Sequence, residues 1–428
     1  DAIGIPVRAE RIGARLLDRD GRSGLAGSQR RGTSMNLPLQ GYRVIELAQI
    51  YAGPYCGLQL AHFGAEVIKI EPPGTGEILR KRPPAKHGTN YGFLMLNTGK
   101  KSVSLNLKDP RGRDILFRLL ADSDVILENY APGALERLGL GYDDLAKQFP
   151  RLVYGSSKGY GRDSRYAQLG AMDFTIQAAS GIISMTGYAD RPGVRVTAAL
   201  IDTSTGMHLA AGILAALLER ERTGRGRKVE VAMLDVCMPA INGALGVVRD
   251  GYKVRRLGNR HPTTCPCNTY PCADGEIWIY CLTEANWQQL ARLMSREELV
   301  THPDYKDHQS RFKLVDQLDA MVGEWSSTQK RDDLVGLLLA NNIPCAPVRE
   351  VDEVAADPEL SARHVVRNGA IGDYDDIKVL GSAIKMSGLR GDEISAHVPE
   401  LGEHTAEVLE RLGVSADDLD VLRRNGVV

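Results

Sequence analysis

From Leu37 onward, short apolar runs alternate with amphipathic stretches. Arg43–Leu47 (RVIEL) reads as a buried strand, Ala52-Gly53-Pro54 as a turn, and residues 55–63 as a helix. Residues 66–70 (EVIKI) form a second apolar run, closed by the breaker Pro72-Pro73-Gly74. Together these make a βαβ unit of ordinary size. Residues 102–107 predict a strand, and Pro110 opens a helix to about Ala121, as proline in a first helical turn does. Residues 124–128 and 152–156 predict two further strands, with short helices over 132–138 and 142–148 between them. Such alternation predicts an α/β fold, with a largely parallel sheet covered on both faces.

The texture changes near residue 202. Residues 203–222 predict a long apolar helix ending in ERERTGRGRK, where Gly224 and Gly226 stop it. Residues 228–234 (KVEVAML) return as a strand. Residues 235–340 are less regular. They hold a Cys/Pro-rich loop at 262–272, a strand at 277–281, and helices near 285–294 and 313–340. This predicts a smaller α+β domain inserted into a Rossmann-like large domain. The large domain would take residues 37–225 and 345–428, and the small domain with its linkers 226–344. Residues 342–351 read as a connector, and residues 403–412 as the last amphipathic helix. Residues 1–36, rich in Arg and Gly and without aromatics, read as an extension outside the fold.

The length of 428 residues exceeds one ordinary core and supports two domains. Hydrophobic residues at 43% and charged residues at 25% match a soluble globular chain. A net charge of −1 points to neither nucleic acid nor a membrane surface, so an anionic ligand must be met by local Arg and Lys. No uninterrupted apolar run is long enough to predict a membrane span. Seven cysteines, an odd number, predict no disulfide framework and a reducing, cytoplasmic setting. Cys265, Cys267 and Cys272 lie near His261, but C-x-C followed by C-x₄-C does not match a zinc site, and no metal is expected.

Several motifs fail. Gly74-Thr75-Gly76 is not a full dinucleotide fingerprint, and Thr98–Ser102 lacks the first glycine of a P-loop and runs into a strand. H-E-x-x-H does not occur. What remains is the segment 159–202, which ends in AALID. Asp202 follows a short apolar run and precedes the long helix. That position predicts an N-cap aspartate with a lowered pKa. Taken alone, it need have no chemistry.

The wider pattern changes that reading. The ordered blocks are GYRVIEL…AGP, FGAEVIKIEPPG, NTGKKSVSLNLKDPRG, DVILENYAPGALERLGLGYDDL, SSKGYG, ALIDTSTGMHLAAGILAALLERERTGRGRKVEVAML, IPCAPV and LGEHTAEVLERLG. From Leu39 to the C-terminus the chain resembles the family III coenzyme A transferases of the CaiB/BaiF type, including the formyl-CoA transferases. More distantly, it resembles the α-methylacyl-CoA racemases. The resemblance implies Asp202 as nucleophile, an acyl-CoA thioester and a small carboxylic acid as substrates, and no bound cofactor. It implies an intertwined homodimer, with the small domain covering the active site.

It also implies CoA contacts from Tyr51, Ala52, Lys108, Asn129, Tyr130 and Arg137. The resemblance places a substrate-facing lid at Gly258-Asn259-Arg260-His261, where Arg260 or His261 could bind a second carboxylate such as that of succinate. Three positions depart from the formyl-CoA transferases: Tyr51 replaces a Gln, Pro72 an Arg, and residues 258–262 a glycine-rich loop. A racemase needs an acid/base residue on each face of the reacting carbon. The racemases place a Gly-His-Asp triplet about 30 residues before the aspartate, where this chain has Ala171-Met172-Asp173. A thioether carries no proton, so Met172 disfavours racemisation; Asp173 is a candidate substrate-facing residue and replacement base, with packing or hydrogen bonding its expected role. A catalytically silent CoA-binding protein is the third alternative.

Overall fold

Val44, Val67, Val125 and Val153 line one face of a parallel sheet, and Ile45, Ile68, Ile126 and Tyr154 line the other, each row in register across four strands. Successive residues of a strand point to opposite faces, so strands apolar on both must be covered on both. The computed structural model describes residues 37–428; the extension expected over 1–36 lies outside the described residues. The sheet has six parallel strands: β1 Arg43–Leu47, β2 Glu66–Glu71, β3 Lys101–Ser104, β4 Val125–Glu128, β5 Val153–Lys158 and β6 Lys228–Ala232. Their spatial order is β3-β2-β1-β4-β5-β6, so the chain winds outward from β1 in both directions.

Three helices do most of the covering: α1 (Ala52–His62), α2 (Pro110–Ala121) and the long α3 (Leu200–Thr223). On the Val44 side lie α1, through Cys56, Leu60 and Ala61, and α3, through Leu209, Ala210, Ile213 and Leu217. On the Ile45 side lie α2, through Ile115, Leu116, Leu119 and Leu120, and the C-terminal residues Val408, Leu409 and Leu419. Each fully buried aliphatic side chain contributes roughly 1.5–3 kcal/mol. Helix α3 is long and apolar enough by composition to cross a membrane, yet it packs against α1 and the sheet as a core element.

Several expected boundaries move. Ala52-Gly53-Pro54 is the first turn of α1 rather than a separate turn, because a proline there lacks only an N–H that has no helical partner. The helix expected over 132–138 shrinks to a 3₁₀ turn at Glu136–Leu138, following the left-handed Gly133 (φ 74°). Residues 228–232 complete the large sheet as β6, pairing in parallel with β5.

Three further strands, β7 Cys267–Cys272, β8 Gly275–Tyr280 and β9 Cys345–Val348, form an antiparallel sheet in the order β9-β8-β7. Ile277 and Ile279 join Trp287, Leu290, Leu318, Val322, Leu334 and Leu338 in a separate apolar cluster. Residues 345–348 are therefore a strand of this sheet, not a connector. Pro347 hid the strand from sequence reading, and β9 tolerates it because it lies at the sheet edge. The segment expected as one helical stretch over 313–340 is broken into Val315–Ser327 and Arg331–Ala340. The C-terminal part adds a hairpin, Val366–Ile371 with Tyr374–Leu380, and a helix after 412, Ala416–Arg424, that the periodicity did not reveal.

Candidate active site

The residues after β1, β4, β5 and β6 meet in a cavity of about 220 Å³ at the carboxyl edge of the sheet. This is the point where the strand order reverses between β1 and β4, the usual ligand crevice of an open α/β sheet. Tyr51 and Ala52 come from the β1 side, Asn129, Tyr130 and Pro132 from β4, Ser157 and Lys158 from β5, and Met233 from β6. Leu169, Ala171 and Met172 form a further wall, and Asp202 faces into the same space.

The loop after β1 is fixed by side chains from outside it. Lys69 Nζ donates to the Ala48 carbonyl at 2.8 Å. Asn129 brackets Gln49, accepting from its N–H at 2.8 Å and donating to its carbonyl at 2.7 Å. Glu77 accepts the Ile50 N–H at 3.0 Å. Ile50 has φ 67°, a conformation a β-branched residue adopts only when its surroundings impose it. The imposed turn delivers Tyr51 and Ala52 to the cavity. Asn129 thus holds the loop as well as lining the site.

Asp202 sits in the first turn of α3, three residues in rather than at the N-cap, which is Ala199. The cap function belongs to Asp173. Its Oδ2 accepts from the N–H groups of Ile201 (2.8 Å) and Asp202 (3.1 Å), while Oδ1 accepts from Gln177 (2.6 Å). Asp173 is buried. One turn on from Asp202, a Cβ on Gly206 would stand 2.6 Å from the Ala52 carbonyl oxygen, so only glycine lets α3 approach α1 closely enough to set Asp202 beside Ala52. Burial, then the negative charge of Asp173, push the Asp202 carboxyl up to about 7. This reverses the lowered pKa expected of a capping aspartate. Burial and the Asp202 charge likewise raise the Tyr51 hydroxyl.

Of the residues expected at the site, the cavity brings together Asp202, Tyr51, Ala52, Asn129 and Tyr130. Lys108 and Arg137 are exposed and lie outside the lining, on the segments that follow β3 and β4. Gly258, Asn259, Arg260 and His261 also lie outside it. The Gly258 N–H donates to the Gly187 carbonyl, and Asn259 donates to Thr269. Arg260 is bound to Asp316 and Asp319, both at 2.7 Å, and is not free to receive a carboxylate. His261 Nδ1 is 3.3 Å from the Thr263 N–H and hydroxyl. Sequence reading missed Lys158, Leu169 and Met233 as lining residues, and Glu77 as a support for the loop. Lys158 had a usable signal, since it ends a strand of a parallel sheet, where such folds place functional groups.

The family model described as CoA-transferase family III matches residues 39–405. A formyl-CoA:oxalate CoA-transferase from Streptomyces avermitilis is 35% identical over 416 residues, covering 92% of this chain and 100% of its own. The protein of the same name from Escherichia coli O139:H28 is 33% identical over 424 residues, with the same coverage. Among solved structures, a CaiB/BaiF family protein from Brucella suis superposes with a TM-score of 0.80 at 32% identity, over 88% of this chain and 100% of that one.

Proposed function

The chain belongs to CoA-transferase family III, and we propose on that premise that it moves coenzyme A from an acyl-CoA thioester to a carboxylic acid with Asp202 as nucleophile. The observation that carries this reading is the position of Asp202, a half-buried carboxylate facing a cavity at the strand-order reversal. An Asp202 oxygen attacks the thioester carbonyl carbon, the C–S bond breaks, and the thiolate leaves with the electron pair. The product is a mixed anhydride. The thiolate then attacks the aspartyl carbon of the anhydride, releasing the first acid and leaving an aspartyl-CoA thioester. The acceptor carboxylate attacks that thioester, and the two steps reverse to give the new acyl-CoA and free Asp202.

Anhydrides hydrolyse, so the apolar wall of Leu169, Ala171 and Met172 has a protective part in this scheme. The first turn of α3, directly behind Asp202, is poorly placed to meet developing oxyanion charge, because two of its N–H groups are already taken by Asp173. The first turn of α1, where no side chain caps the helix and Ala52 lines the cavity, supports that role better. In the same reading Tyr51, Ala52, Asn129 and Tyr130 hold the CoA arm near its thioester. Lys108 and Arg137, farther along the same sheet edge, take its phosphates. The antiparallel sheet with its helices acts as an inserted smaller domain, and two chains form a homodimer. The reaction runs in the cytoplasm, where seven free thiols stay reduced. Racemisation needs a second proton carrier, and at the position where the racemases carry histidine this chain has the thioether of Met172, which lines the cavity.

Incubation with a set of acyl-CoAs and a mixture of acids, read by mass, is expected to show new thioesters formed from the added acids. α-Hydrogen exchange with deuterated solvent in the absence of an acceptor acid would instead favour the racemase. Because the carboxylate is the attacking form, transfer is expected to rise with pH through about 7. Asp173→Asn removes the neighbouring charge, so the midpoint of that rise should move to lower pH. A profile unmoved by Asp173→Asn would separate the acid limb from Asp202.

A further inference from the structure

Every acceptor acid brings one carboxylate to the reacting centre, and every donor brings one thioester. Substrates therefore differ in the rest of the acyl group, and the cavity wall must select on that part. The wall beside Asp202 is built from Leu169, Ala171, Met172 and Met233. Leu169 and Met172 are about half exposed, large apolar side chains flanking a nucleophile. Among the described residues, the one cationic side chain in the lining is Lys158, and it is already engaged. Its Nζ lies 2.8 Å from Glu128 Oε2 and 2.7 Å from the Tyr130 carbonyl. Among the described lining residues, the remaining charge facing the space is Asp202 itself.

We infer that the acyl group this site selects is apolar and uncharged beyond its reacting carbonyl, an alkyl chain rather than an oxalyl or other carboxyl-bearing group. A second carboxylate would lose hydration against thioether and aliphatic carbon, with no unpaired cation among the described lining residues to receive it. It would also meet the charge of Asp202. An alkyl chain buries surface there instead, and Met172 and Met233, unbranched and polarizable, adapt to its shape. The inference rests on the transferase reading and assigns its substrate class.

The test compares butyryl-CoA with succinyl-CoA, which share the CoA moiety and chain length and differ in a terminal methyl against a carboxylate. Binding is measured calorimetrically to the Asp202→Asn protein, in which neither thioester turns over. That substitution removes a negative charge and so favours the succinyl ligand, which makes the comparison conservative. Butyryl-CoA is expected to bind at least about tenfold more tightly, and Met172→Lys introduced in the same protein should narrow or invert the ratio. Succinyl-CoA binding as tightly as butyryl-CoA, or a ratio unmoved by Met172→Lys, would overturn the inference, as would saturable binding of neither. The transferase reading is judged separately, on turnover by the unmodified protein. A protein that prefers butyryl-CoA in binding but transfers to no acid would sink that reading and leave the cavity's selectivity standing.

Discussion

Replacement of Asp202 by asparagine is expected to lower transfer at least about a thousandfold and, at pH 8, to raise thermal stability. The first effect follows from chemistry. An amide cannot attack a thioester as a carboxylate does, and its similar size leaves the cavity shape in place. The second follows from proton linkage. The carboxyl sits at about 7 in the folded protein against an ordinary value of 3.8, because it is buried and faces Asp173. Between those values the folded state binds the proton more tightly than the unfolded state. Stability from this group is therefore full below the lower value and is lost as pH rises through the higher one. Asparagine never ionises and escapes that loss, so the stability gain should be present at pH 8 and shrink towards pH 4.

A purely capping aspartate predicts the opposite. Removing a helix cap destabilises by roughly 0.5–2 kcal/mol. Here the N–H groups of Ile201 and Asp202 are satisfied by Asp173, so α3 keeps its start without the Asp202 charge. Transfer assays with unfolding curves at pH 8 and pH 4 separate the two roles. Undiminished transfer would remove Asp202 from the chemistry, and lost stability at pH 8 would return it to structure.

The contrast between these two aspartates shows where sequence reading stops. The strands of the large sheet were legible because their β-branched runs are short and bounded by Gly and Pro, and α2 because Pro110 marks its first turn. The position of Asp202 before a long apolar helix was legible too. Its electrostatics were not, since Asp173 stands 29 positions away in the chain and reaches the helix only through the fold. The same holds for Arg260. In sequence it is a free cation in a candidate lid, whereas in the structure Asp316 and Asp319, more than fifty positions on, neutralise it. Strand β9 was missed for a local reason, because Pro344 and Pro347 read as a linker when the sheet edge is not yet known. Ile50 gives no sequence signal at all, since a left-handed isoleucine is explained only by the partners that impose it.

Those partners lead to the largest expected loss of stability, at Lys69. In β2 the apolar Ile68 and Ile70 face one layer, so Lys69 faces the other and is fully buried. Its Nζ lies 2.9 Å from Glu46, 3.3 Å from Glu77 and 2.8 Å from the Ala48 carbonyl. Burial works against its charge, but Glu46, Glu77 and Glu71 outweigh it, and the ammonium is held well above its ordinary range. Lys69→Met keeps much of the side-chain volume and removes the cation. Glu46 retains Lys100 at 2.8 Å, while Glu77 loses its cation inside the fold.

Stranding one partner of a buried pair costs about 3–5 kcal/mol, more than the pair itself contributes. Urea unfolding at pH 8 should show a loss of that order. Glu77 can relieve the strain by taking a proton, so its folded pKa, already raised by burial, rises further and the deficit should shrink as pH falls towards 5. Lys69→Met combined with Glu77→Gln removes the stranded charge and should recover part of the loss, a non-additivity expected of directly coupled residues. A single-variant deficit below about 1 kcal/mol at pH 8, or a double variant no better than the single, would show that the network is not what holds this layer. Activity should fall with stability in the single variant. Ala48, Gln49 and Ile50 are held by Lys69, Asn129 and Glu77 in turn, and the turn they impose is what brings Tyr51 and Ala52 to Asp202.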